Sequence, residues 1–176
     1  MLHLYNLAPH RGELQRENFD VAITHLGTTD TDGALINGID YVAKVYAANA
    51  RAGGEQVSKE VSGTLVSTLA DIIERKSNDP KVQMYAAQRL FYIAEPEAAT
   101  AYAEQYLKKM PSPEMLDATL VALARGTITP TAGLEQSINN AIADFDLAED
   151  HRATLDARVK AIEVALVPEQ AVENEL

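Results

Sequence analysis

The chain has 176 residues, enough for one ordinary domain with its own core, and its 47% hydrophobic and 23% charged composition excludes general disorder. It contains no cysteine, which removes disulfide frameworks, thiolate nucleophiles and zinc–thiolate sites. A formal net charge of -11 repels phosphate backbones and anionic headgroups, so neither nucleic acid nor a membrane is expected as a partner.

Residues 1–10 show no cationic flank followed by a continuous apolar stretch, and no run approaches the roughly 18 apolar residues that cross a bilayer. A cytoplasmic protein, or one exported without a cleaved signal peptide, is the expectation. Apolar spacing then predicts a helix over residues 12–26, followed by a polar turn at 27–33 rich in Thr and Asp. A clearer helix follows over 34–52, with Leu35, Ile39, Val42, Tyr46 and Ala50 at helical spacing, stopped by Gly53 and Gly54. Val57, Val61, Leu65, Leu69, Ile72 and Ile73 mark a third long helix, closed by the polar segment 76–79.

From there the punctuation becomes regular. Prolines stand at 80, 96, 113 and 130, each after a polar residue (Asp79, Glu95, Ser112, Thr129), and proline at the first helical position behind a side-chain cap starts a helix. The four starts are 16, 17 and 17 residues apart. Gly126 is the C-terminal cap of the third of these helices, and a last helix is predicted over 149–166, ended by Pro168. The reading is all-α: seven to eight helices with short loops in a single domain over 1–176, built as a helical-repeat-like array or an irregular bundle. Residues 1–33 form a less regular N-terminal segment and 168–176 an acidic tail.

Two helices of that spacing make a unit of about 34 residues, and the stretch 79–145 resembles tetratricopeptide or HEAT-type helical repeats. With Pro111 set on the closing proline of a tetratricopeptide unit, Ala87 and Ala99 fall at its small positions. Gln83 stands where a bulky apolar residue is usual, and Tyr106 where a small one is usual. The resemblance implies a concave face lined by the first helix of each unit. Met84, Gln88, Phe91, Met115 and Arg125 would then be the partner-binding residues, with Phe91 as an apolar anchor and Arg125 a handle for an acidic group. The same helix can be read otherwise. Val82, Tyr85, Ala86, Leu90 and Ile93 make one face, while Met84 and Phe91 fall on the other, which suits a helix sandwiched between neighbours.

Residues 28–40 form the segment closest to a metal-binding pattern. With Gly33 sixth, Asp30 and Asp32 occupy the third and fifth positions of an EF-hand loop, but Thr28 is first, Ile39 is twelfth and Asp40 comes one residue late. A polar turn capped by Asp32 or Thr31 is the simpler reading. His3, His10, His25 and His151 lack a partner at helical ligand spacing, so no metal role is expected. Asp71 with Glu74, and Asp144 with Asp146, are pairs of a kind common on helix surfaces, and nothing nearby supports acid–base chemistry.

These features predict a non-enzymatic protein-interaction module without cofactor: an adaptor, chaperone or regulatory subunit that holds a peptide or helix of another protein. Small acidic tetratricopeptide-like chaperones of bacterial export systems are one family this resembles. Self-association into a homo-oligomer is compatible with it. The alternative is a calcium-responsive regulator built on residues 28–40, and an enzyme whose acids converge only in three dimensions is a third.

Overall fold

The computed structural model describes residues 16–52, 55–76 and 78–145. They form seven α-helices in the order α1 (Arg16–Thr28), α2 (Asp32–Ala52), α3 (Glu55–Arg75), α4 (Pro80–Ile93), α5 (Pro96–Lys109), α6 (Pro113–Ala124) and α7 (Ala132–Asp144). No strand occurs among the described residues. None of their helices is long and apolar enough to cross a membrane. The fold class is therefore all-α, as the spacing of apolar residues predicts. Residues 12–15, the expected helix at 149–166, the tail, Gly53, Gly54, Asp146, His3, His10 and His151 lie outside the described residues.

Local chemistry sets most helix starts. Asp79 accepts a hydrogen bond from the Val82 amide at 3.1 Å with Pro80 in the first turn of α4, and Ser112 accepts from the Met115 amide at 3.0 Å ahead of Pro113. Each side chain satisfies an amide that the first helical turn leaves without a backbone partner. Pro96 opens α5 behind Glu95, whose side chain makes no cap bond. The fourth start differs from expectation: the cap of α7 is Thr131, which accepts from the Leu134 amide at 3.0 Å, so Pro130 precedes the helix by two residues. The Thr131 hydroxyl also donates to Glu104 Oε1 at 2.5 Å, which joins the start of α7 to α5. After α6 the Gly126 amide donates to the Leu123 carbonyl and the Thr127 amide to Ala122, with Gly126 at φ 68°. That pair of bonds is the Schellman closure, and its left-handed residue is glycine because a Cβ is strained there.

Helix α4 is the centre of the packing. It lies against α2, α3, α5 and, most extensively, α6. Val82, Gln83, Ala86, Ala87, Leu90, Phe91 and Ile93 are accordingly buried, which covers about half of the helix circumference at 100° per residue. Helices α1, α2 and α3 pack on one another, while α5 packs on α7 as α4 does on α6.

Gln83 is a polar residue in this core for a definite reason. Its Nε2 donates to the Ile73 carbonyl at 3.1 Å and approaches Met110 Sδ at 3.4 Å, so an apolar side chain here would leave one of the last carbonyls of α3 without this donor. Gln83→Leu is expected to destabilise the fold by about 0.5 to 1.5 kcal/mol, the net contribution of one internal hydrogen bond; a chemical-denaturation midpoint equal to wild type would contradict that role.

Candidate functional site

The segment 28–40 does not form a long ligand loop. Helix α1 runs through Thr28 and α2 begins at Asp32, which leaves 29–31 as the connection. Its carboxylates are held by cations from the end of α3. Arg75 Nη1 donates to Asp30 Oδ1 at 3.0 Å and Nη2 to the Leu26 carbonyl at 3.0 Å, while Lys76 Nζ donates to the Asp30 carbonyl and to Asp32 Oδ1 at 2.9 Å. Asp40 lies two helical turns away, where it meets Lys44 at 2.6 Å and Arg89 of α4 at 2.6 Å. Among the described residues no group of three His, Cys, Asp or Glu side chains could hold a metal ion. The acidic residues here fasten α1, α2, α3 and α4 together. Asp71 and Glu74 are both exposed, and Asp71 faces Arg75 at 3.5 Å. His25 is exposed as well.

These fastenings make the protein acid-sensitive in a defined direction. The Lys76 ammonium and then the Asp79 side chain hold the Asp32 carboxyl below its ordinary value; Lys44, and then Arg89 against the opposing effect of burial, do the same for Asp40. A carboxyl whose pKa is depressed by folding contributes stability above its unfolded value, near about 3.9. That contribution disappears as pH falls through the lower folded value. An Asp32→Asn/Asp40→Asn variant is therefore expected to melt lower at pH 7 and to show a shallower loss of Tm below about pH 4; parallel Tm–pH curves for the two proteins would contradict it.

The expected partner-binding residues divide. Phe91 and Met115 are completely buried, packed within the core around α4 and α6, so the sandwiched reading holds for them and neither is a surface contact. Met84 is half-buried against that core. Gln88, half-buried, and Arg125, exposed, come together at a shallow open cleft between α4 and α6. Ala118 and Ala122 are lining residues whose small side chains leave the space, with Val121 beside them and Thr127 at the turn. The Thr127 hydroxyl donates to the Ala122 carbonyl at 3.1 Å, which fixes that edge.

Tyr92 completes the cleft, and the reading of the sequence passed over it. It is 58% exposed, one of two large apolar side chains so exposed among the described residues; Val21 is the other. The signal was present: Lys81, Tyr85, Gln88 and Tyr92 follow one another at four-, three- and four-residue steps, one stripe on the side of α4 away from the buried arc. Counting the apolar residues alone put Phe91 on that stripe in its place.

No family model, curated protein or solved structure matches the chain.

Proposed function

We propose that the chain is a non-enzymatic protein-interaction module, an adaptor, chaperone or regulatory subunit, that holds a peptide or helix of another protein in the cleft between α4 and α6. The observation that carries this reading is Tyr92: a large aromatic ring left exposed beside small alanine side chains, with the carboxamide of Gln88 and the guanidinium of Arg125 around it. Tyrosine and arginine supply much of the energy where protein surfaces meet.

The packing of α4 on α6 and of α5 on α7 supports a repeat-like array for residues 79–145, in which first helices line one side and second helices the other. The contact set is then Gln88, Tyr92, Val121 and Arg125; Met84, Phe91 and Met115 are not among the residues that line the cleft. Affinity capture with the full chain tests the reading. Proteins retained by wild type should be lost with a Tyr92→Ala/Arg125→Glu variant whose melting temperature is unchanged; equal retention by both would remove the cleft as the site.

A further inference from the structure

We infer that the segment held at this cleft presents one carboxylate to Arg125, and is otherwise neutral or basic. The inference rests on the reading of the cleft as a docking site and adds the chemistry of what docks. Arg125 carries the only charge among the residues that line the cleft. Three arginines have described side chains, and two of them hold carboxylates: Arg75 meets Asp30 and Asp71, and Arg89 meets Asp40. Arg125 makes no ion pair among the described residues, although the chain carries 26 acidic side chains against 15 lysines and arginines. A planar guanidinium offers paired donors that match a carboxylate, and it binds such groups most strongly where water is displaced.

The neighbours of Arg125 give the rest of the description. Gln88 brings an amide able to donate to the same group, and the exposed Tyr92 ring offers an apolar surface for the adjoining part of the segment. The field of the whole molecule limits how acidic that segment can be. A net charge of -11 repels a run of carboxylates at long range, whereas a single carboxylate flanked by neutral or basic residues meets Arg125 locally and is not excluded at a distance.

A random dodecapeptide library displayed on phage, selected against the full chain, tests this. The expected result is a set of binders sharing Asp, Glu or a free C-terminal carboxylate at one position. Their affinity as synthetic peptides should fall about 10- to 100-fold with Arg125→Gln, the range for losing one charge-assisted pair. With Arg125→Glu, binding should return when the shared acid is changed to Lys, an exchange that a purely structural arginine would not permit. Binders that lose affinity with Tyr92→Ala but stay within twofold with Arg125→Gln would overturn the carboxylate while leaving the cleft as the docking site. Binders indifferent to Tyr92→Ala and Arg125→Gln alike, or no binders at all, would overturn both.

Discussion

Phe91→Ala is expected to cost about 3 to 5 kcal/mol of stability, the range for removing a fully buried aromatic ring. The ring has no exposed surface and belongs to the core cluster around α4, so truncation opens a cavity that the packed helices cannot fill. A loss of this size is a large fraction of the stability of an ordinary domain, which is about 5 to 15 kcal/mol. Tyr92→Ala, one residue along, should change stability by less than about 0.5 kcal/mol, as substitutions at exposed positions do. Guanidinium denaturation of the two variants separates core from surface at adjacent positions; near-equal midpoints would contradict the assignment of Tyr92 to the docking face.

Tyr106 carries the second large effect, and it runs in two directions. Its ring is completely buried and stacks on Tyr102 with centroids 5.7 Å apart, so Tyr106→Ala should lose about 3 to 5 kcal/mol. Its hydroxyl, however, has no hydrogen-bond partner among the described residues. Burial, reinforced by Tyr102 and Glu74, pushes the phenol well above its ordinary pKa, so the group stays neutral throughout the stable pH range. Desolvating a hydroxyl without a partner costs about 1 to 3 kcal/mol, and Tyr106→Phe removes the oxygen while keeping the ring. Thermal melting should therefore place Tyr106→Phe above wild type; a melt several degrees below would mean that the hydroxyl stabilises the fold.

What the sequence made legible was local. The caps at Asp79 and Ser112 could be read because the bond from side chain to amide spans three residues, and the glycine closure at Gly126 because it needs one left-handed position. The start of α7 was misplaced by two residues because Thr129 and Pro130 imitate the same signal, while the Thr129 amide in fact donates to the Thr100 hydroxyl of α5 at 2.8 Å. Partners distant in sequence decided the remainder. Asp30 and Asp32 match two positions of a calcium loop when the segment is read by itself, while the cations they meet, Arg75 and Lys76, stand more than forty residues away. Phe91 looked like an anchor because the period of α4 does not reveal how many helices surround it; with α2, α3, α5 and α6 on its flanks, the buried arc extends far enough to take in Phe91 and leave Tyr92 outside. Gln83 departs from the repeat pattern for a similar reason, since the carbonyl it serves belongs to α3.

The absence of cysteine permits a direct test of where a partner sits, because each introduced thiol is the only one in the chain. Val121→Cys places it in the cleft and Asn139→Cys on the exposed side of α7. Maleimide labelling of each variant is followed with and without a partner recovered by capture on the full chain. The docking account predicts that the partner slows modification at Val121→Cys at least tenfold and leaves Asn139→Cys unchanged. Unchanged labelling at Val121→Cys in a complex shown to be intact would contradict it.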